Sequence, residues 1–279
     1  MEIKFKCLSS GSCGNCYYLG CNGRGILIDA GVAYRTTKKM LKNENIDLSD
    51  IFGIFITHDH TDHIKSIGGL SGKEKDNIPA YATSLTHKGI RQSKVLKGRE
   101  INSRILEVHT PIRIHDFIIE SFSVPHDGTD NVGYRILVGG VCFVFATDLG
   151  LITEEIAQNL CQANYLIMEA NYDSRMLQTG PYTRELKARI ASDSGHLSNE
   201  TTAEFLSTHY TPRLKYVWLC HISKDNNTPE MAYSTVKKSL DKKGIHVGTD
   251  VRLCALPRGK ETEMYIFSED GLSTKDLID

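Results

Sequence analysis

T-H-D-H-T-D-H, running from Thr57 to His63, places three imidazoles and two carboxylates within seven residues, directly after the apolar run Ile54–Ile56. A β-branched run that ends in such a cluster reads as a strand delivering metal donors to one edge of a sheet. The spacing suits two metals better than one. His58 and His60, two apart, point the same way from extended chain, while Asp62 and His63 begin the next segment and face a second ion. An ordinary polar turn has no need of four donor-type residues (His58, His60, Asp62, His63) in six positions.

Outward from that stretch, Ile3–Leu8, Cys16–Gly20, Gly25–Asp29 and Ile51–Ile56 read as strands separated by Gly/Ser/Asn turns or a basic helix. Asp62–Leu70 reads as a short helix closed by Gly68-Gly69, and Ser84 as the N-cap of a helix through Val95. A β-rich middle follows in Ile105–Val108, Ile112–Ile114, Phe117–Val124 and the hairpin of Val132–Val138 and Val141–Thr147 around Gly139-Gly140. Tyr165–Met168 and Leu214–Cys220 are further strands, and Thr183–Ile190, Asn199–His209 and Glu230–Lys242 carry helical patterns. Asp250–Cys254 and Glu263–Ser268 supply the last strands. This order predicts an α/β fold of two mixed sheets with helices outside, in one domain covering residues 1–279.

Asp29, His58, His126, Asp148, Glu169 and His221 each stand at or within two residues of the end of an apolar, strand-like run. Where neighbouring strands share direction or edge, such residues converge over a hydrophobic scaffold. Two divalent ions about 3.5–4 Å apart polarise a phosphoryl or carbonyl oxygen while a shared hydroxide attacks. The matching set is His58, His60 and His126 for one ion and Asp62, His63 and His221 for the other, with Asp148 bridging. Zn²⁺, Mn²⁺ or Fe²⁺ suit these imidazole and carboxylate donors. Asp29 reads as an orienting partner of the ligand loop.

The 279 residues, 40% hydrophobic and 24% charged, are ordinary for a globular chain, and a formal net charge of -1 advertises no global field for nucleic acid. Met1–Cys7 alternates charged and apolar residues, unlike a signal peptide, and the apolar run Ile136–Ala146 is too short to span a bilayer. No membrane partner and a cytoplasmic location are expected. Of the eight cysteines, Cys13-x-x-Cys16 admits a zinc or redox reading, but no second pair follows, and reduced thiols are the simpler reading.

The order Asp29, His58-x-His60-x-Asp62-His63, His126, Asp148, His221 resembles the five-motif signature of the metallo-β-lactamase-fold superfamily. The resemblance implies a four-layer αβ/βα sandwich of two mixed sheets with helices outside and a binuclear metal site, with Asp62 among the catalytic residues. Ser9–Asn15 (S-G-S-C-G-N), Gly195–Asn199 (G-H-L-S-N) and His221–Asn227 (H-I-S-K-D-N-N) look like its YycJ (WalJ)-like branch, which is associated with 5′-to-3′ exonuclease activity on DNA; Cys13 departs from the serine expected there. Glu169 and His196 also resemble the acid/base pair of the transfer-RNA 3′-processing members.

Chemically, a departing sugar oxygen needs a proton, and His196 paired with Glu169 is suited to give it. On the substrate side stand Asn15 in a Gly-rich turn, Ser198 and Asn199 after His196, and Lys224 and Asn226 beyond His221. That turn offers backbone N–H groups to a phosphate or serves as an ordinary hairpin turn. The expected activity is a two-metal phosphodiesterase, a 5′-to-3′ DNA exonuclease with His196 as proton donor. The alternative is a small-molecule metallohydrolase acting on a cyclic phosphodiester, lactone or thioester.

Overall fold

The computed structural model describes residues 1–268 and 271–272. Its contacts divide the chain into two compact units, one built from residues 1–107, 128–130 and the chain from 259, the other from residues 108–127 and 131–258.

The first unit carries β1 (Ile3–Ser9), β2 (Cys16–Cys21), β3 (Arg24–Ile28), α1 (Tyr34–Asn43), β4 (Ile51–Phe55), α2 (Thr61–Ile64), α3 (Ile67–Leu70), β5 (Ala80–Ala82), α4 (Ser84–Gln92) and β6 (Ser103–Ile105). β1, β2 and β3 form an antiparallel meander, and β3 to β6 run parallel. The parallel strands read as nearly unbroken apolar runs because helices bury them, and Leu27, Ile54, Ala80, Leu41, Ile64 and Ile67 share one core. The register Ile28↔Phe55 brings the ends of β3 and β4 side by side. Asp29 and Thr57 therefore become neighbours.

The second unit repeats the plan. β7 (Ile112–Ile114), β8 (Phe117–Ser123), β9 (Val132–Val138) and β10 (Val141–Ala146) are antiparallel. After α5 (Glu154–Leu160) come β11 (Tyr165–Glu169), α6 (Ser174–Thr179), α7 (Arg184–Ile190), α8 (Asn199–Thr208), β12 (Tyr216–Cys220), α9 (Pro229–Lys242) and β13 (Arg252–Ala255). β10 to β13 are parallel. β8 shares their direction, since two antiparallel steps separate it from β10. The carboxyl ends of β8, β10, β11 and β12 thus lie on one edge, where His126, Asp148, Glu169 and His221 follow. β14 (Tyr265–Ser268) and β15 (Gly271–Leu272) return to the first sheet beside β1. Gly139 and Gly140 both have positive φ (56° and 78°), the backbone that a two-residue hairpin with right-handed twist requires.

The expected two-sheet plan holds, with local corrections. The expected helix over Asp62–Leu70 is two separate turns. Ala30 donates its N–H to the His63 carbonyl and accepts from Ser66 N and from Ser66 Oγ, so a neighbouring segment takes backbone groups that a continuous helix would use. The cap of α4 is Thr83 rather than Ser84: its hydroxyl accepts from Thr86 N, and the helix stops at Gln92 rather than Val95. The strand expected at Ile105–Val108 lies slightly earlier, set by the pairing of Ser103–Ile105 with Ala80–Ala82. Among the described residues no helix is long and apolar enough to cross a membrane.

Candidate metal centre

In the first unit the sequence cluster folds around Asp29. Its backbone sits in the left-handed region (φ 62°), a conformation costing a non-glycine residue of order 1 kcal/mol or more. The fully buried carboxylate accepts from Thr57 N (2.8 Å), Thr57 Oγ1 (3.0 Å) and His63 Nδ1 (2.7 Å). Burial pushes its pKa up, against the opposing pull of His63 and Thr57. Asp29 thus ties the start of the Thr57–His63 stretch to its end.

The His58 and His63 ring centroids are 4.0 Å apart and those of His58 and His60 are 4.6 Å apart. His63 has one nitrogen on Asp29, and His58 Nδ1 lies 3.0 Å from the Thr57 hydroxyl. Both rings are thus held through Nδ1, the usual way an outer partner fixes an imidazole ligand, and His63 Nε2 in turn lies 2.8 Å from the Asn15 side-chain amide. Asp62 Oδ2 is 3.8 Å from His63 Nε2.

Thr57 is a residue the sequence reading passed over. Its hydroxyl lies within 3.3 Å of Asp29, His58 Nδ1 and His63 Nδ1 at once. Thr57→Val, equal in shape but without the hydroxyl, should weaken divalent-metal affinity about 10–100-fold, the range for loss of an outer-sphere partner. Calorimetric metal titration checks this, and wild-type affinity in the valine variant would show that the hydroxyl is dispensable. Asp59, inside the same motif, is engaged with Thr129. Its carboxylate accepts from Thr129 N (3.0 Å) and Thr129 Oγ1 (2.5 Å), tying down residues just beyond His126.

The second unit gathers Asp148, Glu169, His196 and His221 so that one donor atom from each lies within 4.8 Å of the others. Glu169, fully buried, is their hub. Its Oε1 accepts from His196 Nδ1 (2.7 Å) and His221 Nδ1 (2.9 Å), and its Oε2 from Leu197 N (3.0 Å) and Leu149 N (3.2 Å). Burial works to raise its pKa, but the His196 and His221 contacts outweigh that and hold the carboxyl below its ordinary value. His196 shows the converse: burial works to lower its pKa, Glu169 overrides it, and the net shift is upward.

Asp148 Oδ1 lies 3.0 Å from His221 Nδ1 and 3.9 Å from both His126 Nε2 and His196 Nδ1. His126 Nδ1 donates to the Gly195 carbonyl at 2.9 Å, and its Nε2 lies 3.5 Å from Asp127 Oδ1. Burial lowers the His126 pKa, with Asp148 opposing, which favours the neutral, metal-binding imidazole. His221 is strained like Asp29 (φ 53°), and Asn171, also passed over in sequence, donates to its carbonyl at 2.7 Å.

These donors fit divalent metals. They are imidazoles and carboxylates without a thiolate, and His58, His63, His126 and His221 are each pinned through one nitrogen. The residues assigned to the substrate side divide. Lys224 is exposed, and Ser198 caps α8 by accepting from Thr201 N. Asn199 and Asn15 lie inside the fold. The Asn199 amide is fully buried in a reciprocal pair with Asn227 (2.9 and 2.8 Å), and the Asn15 amide is fully buried against Gly11 and His63. Asn226 is buried too, with no hydrogen-bond partner for its side-chain amide among the described residues. Of the basic residues before His196, Arg189 pairs with Asp127 and Lys187 Nζ donates to the Gln178 carbonyl.

Residues 24–222 match the family model described as the beta-lactamase superfamily domain. Exodeoxyribonuclease WalJ of Streptococcus pneumoniae is 36% identical over 252 residues, covering 90% of this chain and 93% of the relative. Exodeoxyribonuclease YycJ of Bacillus anthracis is 32% identical over 250 residues, covering 89% and 93%. The crystal structure of the metallo-beta-lactamase fold protein YhfI from Bacillus subtilis matches with a TM-score of 0.69 at 14% identity, over 94% of this chain and 98% of that one. With its donor motifs at the strand ends of two mixed sheets, the chain belongs to the metallo-β-lactamase-fold metallohydrolases of the beta-lactamase superfamily, in their WalJ/YycJ-like branch.

Proposed function

We propose that this protein is a metal-dependent 5′-to-3′ exodeoxyribonuclease whose two units act as one hydrolase domain. The observation that carries the reading is similarity over 90% and 89% of the chain to two exodeoxyribonucleases at 36% and 32% identity. The Glu169–His196 pair supports it chemically. In this reading His58, His60 and His126 would hold one divalent ion and Asp62, His63 and His221 a second, with Asp148 as the carboxylate donor to both. Zn²⁺, Mn²⁺ and Fe²⁺ suit the nitrogen and oxygen donors. When bound, such ions activate water and stabilise charge on the phosphoryl group.

The protein's own residues do the rest. Asp29 and Thr57 hold His58 and His63 in orientation. Glu169 fixes the ring of His196 through Nδ1, so that Nε2–H is the proton available to the departing 3′ oxygen of the strand. Lys224, exposed beyond His221, is placed to meet backbone phosphate by charge. A cytoplasmic location belongs to the same proposal, in keeping with eight cysteines none of which is joined in a disulfide among the described residues.

The test is digestion of end-labelled linear duplex DNA bearing a 5′ phosphate, with Mn²⁺ or Zn²⁺ added. Mononucleotide release from the 5′ end is expected, with His60→Ala reducing it at least about 100-fold. Turnover of a chromogenic phosphodiester or a lactone with intact DNA left behind would instead establish the small-molecule reading.

A further inference from the structure

We propose that Asn15 sets how tightly His63 and Asp62 hold a divalent ion, because its side-chain amide competes with the ion for the same nitrogen. The proposal rests on the metal-dependent reading above and adds a residue that controls the affinity and exchange of one ion.

The geometry leaves the amide little choice. Asn15 Oδ1 accepts from Gly11 N at 2.8 Å, which settles which end of the amide is nitrogen. Nδ2 therefore faces inward, 3.1 Å from the Gly11 carbonyl and 2.8 Å from His63 Nε2. His63 gives its Nδ1–H to Asp29, so Nε2 is the acceptor in this contact and carries the only lone pair the ring has to offer. A metal ligated by His63 must take that lone pair at about 2.0–2.1 Å. An N–H directed at the same lone pair opposes the cation twice, by occupying the electrons and by presenting positive partial charge.

The backbone prevents the simple escape of withdrawing the loop. Asn15 N donates to the Asp62 carbonyl and Gly31 N to the Asn15 carbonyl, each at 2.8 Å. A Cβ at Gly14 would strike the Gly31 carbonyl, so the segments already touch. The side chain is what can yield. Asp62 Oδ2 stands 3.4 Å from Nδ2, close enough to receive the N–H when His63 turns to a metal. The Asn15 amide would thus exchange His63 for Asp62 as its acceptor, and an ion held by His63 would bind more weakly than the donors alone would dictate. The Ser9–Asn15 turn, expected to meet substrate phosphate or to be a plain hairpin turn, acquires a role in metal loading.

Asn15→Asp is the discriminating variant. It keeps Oδ1 for Gly11 N and replaces the competing NH2 with an oxygen of ligand type. In calorimetric titration with Mn²⁺ or Zn²⁺, the weaker class of site should tighten about tenfold, equivalent to about 1.4 kcal/mol, with the tighter class unchanged. A second measurement uses the unaltered protein. The Asn15 side-chain amide resonance should shift with the second equivalent of Zn²⁺ and not with the first. Unchanged or weakened affinity of the weaker site in Asn15→Asp, or an amide resonance indifferent to metal, would overturn the proposal. Uptake of two ions alongside either result leaves the metallohydrolase reading standing, whereas a wild-type chain that takes up no divalent ion sinks both.

Discussion

Replacing His196 with alanine should lower turnover of linear DNA by about 10²–10⁴-fold, the contribution typical of a positioned proton donor, while divalent-metal uptake stays at the wild-type level. The ring is the most open imidazole of its unit's donor group: its side chain is 21% exposed, against 2% for His126 and 5% for His221. A proton donor must reach substrate, whereas a ligand is better enclosed. Its Nδ1 is committed to Glu169 at 2.7 Å, which leaves Nε2–H to give. Because His196 also lies within the four-donor group of Asp148, Glu169 and His221, metal stoichiometry must be measured beside the rate. Equal loss of metal and activity would make His196 a ligand instead.

The same pair predicts a pH dependence. The acid works while protonated, and its raised pKa keeps it so to higher pH, so activity due to His196 is lost as pH rises through that pKa. Glu169→Gln removes the charge that opposes burial. The pKa should then fall, carrying the alkaline limb of kcat to lower pH as well as lowering its plateau. A limb that stayed in place in Glu169→Gln would assign it to another group.

How far the sequence disclosed this site depends on where the information lay. The His58–His63 motif was legible because its meaning is local, a strand end followed at once by donors at fixed spacing. Asp148, Glu169 and His221 were legible one step later, since apolar runs ending in an acid or a histidine imply parallel strands ending on one edge, and the register Met168↔Leu219 bears that out. Contacts that depend on tertiary approach were not legible. Asp59 looks like its neighbours until Thr129, seventy residues on, takes its carboxylate. Asn15 and Asn199 look like surface amides, and only the folded chain shows them buried against His63 and Asn227. The break between α2 and α3 likewise lies in Ala30, far from any helix signal.

Gly31→Ala should be among the most damaging single-methyl changes in the first unit, costing at least about 3 kcal/mol and abolishing metal uptake. Three segments meet at this glycine. Gly31 N donates to the Asn15 carbonyl, Asn15 N to the Asp62 carbonyl, and Ala30 N to the His63 carbonyl, all between 2.7 and 2.8 Å. A Cβ built on Gly31 would fall on the Asp62 carbonyl oxygen and crowd the Asn15 amide nitrogen. Both obstacles are backbone, so no rotamer change relieves them, and the segment bearing Asp62 and His63 must move bodily. Moving it breaks the bonds that hold His63 on Asp29 and Asn15, so stability and metal binding should fail together. Gly68→Ala in α3 is the control. There the added methyl meets side-chain atoms at ordinary contact distances from 3.5 Å, and alanine's helix propensity should make the change neutral or mildly stabilising. Urea unfolding and metal titration on the two variants separate the cases. A Gly31→Ala protein with wild-type stability would show that the close approach of these three backbones is not what holds the Asp62–His63 donors in place.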